Sequence, residues 1–156
     1  MKLPDGQTLL AKTYRRAAEI CSGGDVITVT NRDYYFMSKD EFDAVKNSNF
    51  RSIYLLEPVG RNTAPAVAMA ALSVQALHGD NAVMLIMAAD HLITDSCEFE
   101  KSVHFAAELA KTGKLVTFGI KPTAPETGFG YIECGASLGD NNAHEVKRFV
   151  EKPDQK

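Results

Sequence analysis

A chain of 156 residues, 45% hydrophobic and 24% charged, is long enough for one domain with a substantial buried core. Its net charge of −3, with no stripe of Lys or Arg, argues against a general nucleic-acid binder. The opening MKLPDGQ lacks the apolar centre of a signal peptide, the Ala82–Ala89 run is too short to span a bilayer, and Cys21, Cys97 and Cys134 stand far apart in no CxxC pair, so the expectation is a soluble cytoplasmic protein with reduced thiols and neither a disulfide frame nor a zinc site.

Leu9, Leu10, Tyr14, Ala17, Ala18 and Cys21 recur at helical spacing, which predicts a first helix stopped by Gly23-Gly24. DVITVT (25–30) reads as a short buried strand. Ser38 and Glu41 have capping-box spacing and predict a short helix from there to about Val45. SIYLL (52–56) is the next strand. A helix from about Ala64 to Leu77 follows, with Asn62 or Thr63 as N-cap and Pro65 tolerated in its first turn. AVMLIM (82–87) reads as a strand covered on both faces, and Asp95 or Ser96 caps a helix over roughly 98–110. KLVTFGI (114–120) reads as one more strand. Alternating strands and helices imply parallel pairing through right-handed crossovers, that is, an α/β doubly wound sheet. GYIEC (130–134) and EVKRFVEKP (145–153) depart from that rhythm and read as an antiparallel edge near the C-terminus.

Ligands of such sheets sit beyond the carboxyl ends of the strands. EPVGRNT follows strand 52–56, AADH follows 82–87, and KPTAPETGFG follows 114–120. A helix mouth with free N–H groups, beside an Arg and an Asn, suits an anionic or amide-bearing ligand. The same residues can be plain structure, with Asn62 or Thr63 capping the helix and Arg61 pairing with Glu57. Asp90, directly after an apolar strand, is placed to hold Mg²⁺ beside phosphate oxygens, or else only to cap a helix or form a turn. His91 can simply hydrogen-bond the loop backbone, Glu151-Lys152-Pro153 can be a solvated charged edge, and Gly128 and Gly130 can serve turn geometry alone.

In their order, EPVGRNTAPAVAMAAL, MLIMAADHLI, LVTFGIKPTAPETGFGYIE and RFVEKP resemble the bacterial mannose-1-phosphate guanylyltransferases over essentially the whole chain. The resemblance implies a Rossmann-like nucleotidyltransferase fold, mostly parallel, that uses Mg²⁺ to transfer GMP from GTP to mannose 1-phosphate, giving GDP-mannose and pyrophosphate. It implies that Glu57, Arg61, Asn62 and Thr63 line the guanine end of the pocket and that Asp90 binds the metal beside the α-phosphate. Gly130 and Tyr131 would border the sugar, Glu151 would meet mannose hydroxyls, and Lys152 its phosphate. Asp90 and Lys152 are the catalytic pair on this reading.

The chain departs from that family at both ends. The family opens on a strand and a GGxGTRLxPLS loop followed by PKQF, which wraps the triphosphate, and MKLPDGQTLLAKTY matches only from just past that loop. The family's second metal-binding Asp lies beyond FVEKP, whereas this sequence ends at Lys156. The expectation is therefore a partial nucleotidyltransferase domain over 1–156, a sheet lacking an interior strand, and a homo-oligomer that pairs its open edges. Such a chain alone would not make GDP-mannose. The alternative is a shortened non-catalytic module that binds sugar nucleotides or self-assembles.

Overall fold

The computed structural model describes residues 3–45, 49–139 and 143–153. They form two compact units, Met1–Leu115 and Val116–Lys156. In the first, α1 (Leu9–Ile20), β1 (Gly24–Asn31), α2 (Tyr35–Val45), β2 (Phe50–Glu57), α3 (Thr63–His78) and α4 (Ser96–Ala110) follow in order. The second holds β3 (Gly130–Ser137) and β4 (His144–Glu151). The chain is thus α/β, with a parallel pair in one unit and an antiparallel pair near the C-terminus. Among the described residues no helix is long and apolar enough to cross a membrane.

Helix α1 starts where expected because Thr8 Oγ1 accepts from the Ala11 amide at 3.0 Å, satisfying one of the free N–H groups of the first turn. It buries Ala11 and Tyr14. After the helix the chain must pass close to the start of β2. A Cβ at Gly23 would stand 2.9 Å from the Asn49 carbonyl oxygen, so only glycine fits there. The next amide, that of Gly24, donates to the same oxygen at 3.1 Å.

Strands β1 and β2 pair in parallel from Gly24↔Phe50 to Asn31↔Glu57, and a parallel pair requires a crossover, here carried by α2. That helix begins at Tyr35, ahead of the expected Ser38 cap. Asn31 Oδ1 accepts from the Tyr34 amide (3.1 Å), and the Ser38 amide already donates to the Tyr34 carbonyl (2.9 Å). Ser38 is therefore an interior helical residue, only 3% exposed, and not a cap. Tyr14 meets Phe42 edge-on at 5.3 Å between ring centroids, Tyr35 meets Tyr54 likewise at 5.1 Å, and Val103 and Ala106 of α4 complete the core.

Two expected strands are corrected. The runs 82–87 and 114–120 take part in no ladder among the described residues. Val83, Ile86, Leu115 and Ile120 are exposed. An apolar run becomes a strand only where a neighbour presents matching N–H and C=O groups. Here the parallel sheet has two members, β1 and β2, and β3 pairs with β4 in a sheet of its own. Helix α3, though apolar nearly all round, buries no residue, and Leu72 is 67% exposed.

One polar tie joins α3 to the sheet. Arg51 grips Asp25, its register partner, through Nε (2.8 Å) and a second nitrogen (2.6 Å), and His78 Nε2 lies 2.9 Å from the same carboxylate. The Arg51 hydrogen bonds, followed by that of His78, hold the Asp25 pKa down at about 2. Because the folded value lies below the unfolded one, this stabilisation is complete above about pH 4 and is lost as the pH falls through about 2. Asp25→Asn is expected to lower the urea midpoint at neutral pH and to flatten its decline between about pH 4 and 2. Parallel acid limbs for the variant and the parent chain would show that Asp25 is not the group responsible.

Candidate functional site

The first cluster is built by the end of β2 and the start of α3. Glu57 closes the strand opposite Asn31, half-buried. The chain then runs exposed through Arg61 and Asn62 into Thr63, the first residue of the helix. The N-cap position falls at Asn62, one of the two expected residues, but without a side-chain cap. This residue holds the N-cap position with φ 67° and ψ −173°, and its side chain makes no capping hydrogen bond. Among the described residues, no ion pair joins Arg61 to Glu57 either. The first turn of α3 carries no acidic residue, so no carboxylate of that turn offsets the positive end of the helix dipole. An exposed amide on a strained backbone, an exposed guanidinium and a helix mouth without an acidic first turn can together receive a ligand that offers acceptors and negative charge.

Asp90 lies on a separate turn of the same unit, exposed. Two residues of α1 that sequence reasoning passed over hold this turn. Thr13 Oγ1 donates toward the Ala88 carbonyl (3.4 Å), and an Arg16 terminal nitrogen donates to the His91 carbonyl (3.1 Å). Nothing in the sequence distinguishes Arg16 from its neighbour Arg15, and helical spacing alone leaves both as surface charges.

In the second unit, antiparallel register sets Gly130 opposite Glu151 and Tyr131 opposite Val150, so Gly130, Tyr131, Glu151 and Lys152 converge at one end of the hairpin. Gly130 lies close beneath the Phe149 ring and the Glu151 carboxylate. A Cβ there would collide with the Phe149 ring and stand 3.0 Å from Glu151 Oε2. The Tyr131 hydroxyl accepts from the Glu126 amide (2.7 Å) and donates to the Glu126 carbonyl (2.9 Å). It therefore steadies the preceding loop, a task the sequence did not signal. Lys152 has a positive φ of 42°, donates its amide to the Phe129 carbonyl (3.1 Å) and keeps Nζ 3.7 Å from Glu151 Oε1.

The family model for nucleotidyl transferases matches residues 2–156. The chain belongs to the nucleotidyl transferase family. It is 46% identical over 147 residues to the xanthan biosynthesis protein XanB of Xanthomonas campestris pv. campestris (strain B100), and 43% identical over 150 residues to the mannose-1-phosphate guanylyltransferase RfbM of Salmonella typhimurium. Each alignment takes in 94% of this chain and 30% of the relative. A mannose-1-phosphate guanylyltransferase of Escherichia coli is 44% identical over 131 residues, which are 83% of this chain and 27% of that protein. This nucleotidyl transferase chain thus spans about 30% of the length of the curated relatives it matches. No solved structure matches it.

Proposed function

We propose that this chain carries the nucleotide- and sugar-recognising groups of a mannose-1-phosphate guanylyltransferase, the activity that moves GMP from GTP to mannose 1-phosphate. The observation that carries the reading is the 43% identity, over 94% of the chain, to a relative bearing that name. On this reading Glu57, Arg61, Asn62 and Thr63 take the guanine end, where an amide and a guanidinium can hydrogen-bond a purine edge. Gly130 and Tyr131 border the sugar, Glu151 accepts from its hydroxyls, and Lys152 orients the anionic phosphate that attacks the α-phosphorus in line. No covalent nucleophile from the protein is needed, because positioning and charge neutralisation lower the barrier.

A divalent cation belongs to this proposal, and the residues present suit one kind of binding. Among the described residues no group of three His, Cys, Asp or Glu side chains comes together, so there is no closed protein cage. Among the described residues no ion pair engages Asp90, a single exposed carboxylate. That is the donor set of Mg²⁺ held by one carboxylate together with substrate phosphates. When bound, the cation would neutralise charge on those phosphates. Asp90 would hold it, and Lys152 would orient the attacking phosphate.

The test is ligand-observed NMR with GDP-mannose and ADP-glucose, with and without Mn²⁺ as the paramagnetic probe. GDP-mannose is expected to bind about tenfold or more tightly than ADP-glucose, since the wrong base leaves polar groups unpaired. Asp90→Asn is expected to remove the Mn²⁺-induced broadening of the phosphate-proximal protons. Equal signals from both sugar nucleotides would sink the guanine reading, and unchanged broadening in Asp90→Asn would remove Asp90 from the metal.

A further inference from the structure

The turn that bears Asp90 has little to hold it in place. The run leading into it, 82–88, joins no ladder, and Asp90 itself is exposed. Two hydrogen bonds reach this stretch from α1, from Thr13 to the Ala88 carbonyl and from Arg16 to the His91 carbonyl. Both residues are only 6% exposed. They are also joined to each other, an Arg16 terminal nitrogen donating to Thr13 Oγ1 at 2.7 Å. The Thr13 hydroxyl, accepting from Arg16, directs its one proton between the Leu9 carbonyl (3.0 Å) and the Ala88 carbonyl (3.4 Å).

This arrangement is costly as plain packing. A buried guanidinium loses its hydration, and an apolar side chain of similar size is often as stable or more so in such a place. Arg16 Nε is buried and finds no hydrogen-bond partner among the described residues, so the desolvation is not fully offset. Burial accordingly pulls the Arg16 pKa down from its ordinary value. What the charge accomplishes is local. Its planar fork reaches Thr13 and a backbone carbonyl of the turn at once, a geometry that an ammonium cannot reproduce.

We propose that Arg16, acting through Thr13 and directly on His91, is a positioning residue that fixes the Ala88–His91 turn and thereby sets the direction of the Asp90 carboxylate. The inference rests on the reading of Asp90 as the metal-holding carboxylate for its functional meaning, and on the hydrogen bonds alone for its structural content. Arg16 touches no substrate. Its effect reaches the site through the backbone of the turn.

The experiment compares the full chain with Arg16→Met, Arg16→Lys, Thr13→Val and Thr13→Ser by amide NMR, followed by titration with Mn²⁺. Arg16→Met and Thr13→Val should leave the β1 and β2 amide positions in place while the amides of 88–92 shift and broaden. Mn²⁺ affinity should fall about tenfold in both. Arg16→Lys, which keeps the charge without the fork, should behave like Arg16→Met, whereas Thr13→Ser should restore the parent spectrum because it keeps the hydroxyl. Should Arg16→Met fail to fold, the Thr13 pair still decides the matter. Amides of 88–92 that stay at parent positions in Thr13→Val would overturn the proposal. A parent chain whose 88–92 amides are untouched by Mn²⁺ would overturn the metal role of Asp90, while the shifts in the metal-free variants would still decide whether the α1 latch exists.

Discussion

Tyr14→Ala is expected to cost the Met1–Leu115 unit about 3–5 kcal/mol, the range seen when a buried aromatic side chain is truncated. Tyr14 is the largest apolar side chain in a small core, only 5% exposed, with Ala11, Val103 and Ala106 as the other buried apolar residues. Its ring stands edge-on to Phe42 and its hydroxyl lies 2.8 Å from Thr28 Oγ1, so one side chain links α1 to α2 and to β1. Domains are stable by only about 5–15 kcal/mol, and a core this small belongs near the bottom of that range. Urea titration followed by circular dichroism should therefore find the variant largely unfolded before denaturant is added. Tyr14→Phe keeps the ring and loses one hydrogen bond, for about 1 kcal/mol. The two also part company in alkali. Burial pushes the Tyr14 pKa up to about 12, above its ordinary value of 10.0. The neutral phenol is thus favoured in the fold, with its stabilisation intact below about pH 10 and lost as the pH rises through about 12. Tyr14→Phe should lack that alkaline limb. A midpoint for Tyr14→Ala within about 1 kcal/mol of the parent chain would show that the core lies elsewhere.

What was legible in the residues was the set of local signals. Asp95, one of the two caps expected for α4, accepts from the Glu98 amide, and β1, β2, β3 and β4 appear where β-branched and aromatic residues cluster. The start of α2 was misread because Asn31, the last residue of β1, lends its side chain to the turn that opens the helix. The runs 82–87 and 114–120 illustrate a different limit. Apolar patterning reports what a segment needs to bury, whereas pairing depends on a second segment that no local window contains. The candidate site divides in the same way. The 57–63 stretch could be placed at a helix mouth because strand, loop and helix are contiguous there. Thr13 and Arg16 could not be connected to Asp90, since their partners lie 75 residues away and a threonine and an arginine on an amphipathic helix look like surface. The Tyr131 hydroxyl, read as a neighbour of the sugar, turns out to hold the Glu126 backbone, a contact that follows from the fold of the hairpin and its loop.

Asn62→Gly should make the chain more stable and worse at distinguishing guanine from adenine. With φ 67° and ψ −173°, Asn62 occupies a region that is essentially reserved for glycine and costs other residues about 1–3 kcal/mol. The strain brings no capping bond in return, since the Asn62 side chain accepts nothing from the first turn of α3. Glycine relieves the strain but makes the unfolded chain more flexible, which offsets about 0.5–1 kcal/mol, so the net gain should be about 1 kcal/mol. If Asn62 were only a helix cap, the same change would lower stability by a few tenths of a kcal/mol, and the sign of the shift in melting temperature separates the two. The functional half follows from the amide that glycine lacks. On the proposed reading the Asn62 amide, exposed in the free chain, is covered by the bound base, and its loss should lower the preference for GDP-mannose over ADP-glucose by about tenfold. Calorimetry and ligand-observed NMR on the same sample measure both halves. A stabilised variant that still prefers GDP-mannose would mean that the strained amide does not read the base, and Arg61→Ala would then be the variant in which the preference should disappear. A variant no more stable than the parent would mean that the conformation at Asn62 is not strained in solution. Stability gained together with discrimination lost is the outcome expected of a residue held in an unfavourable conformation for the sake of a ligand.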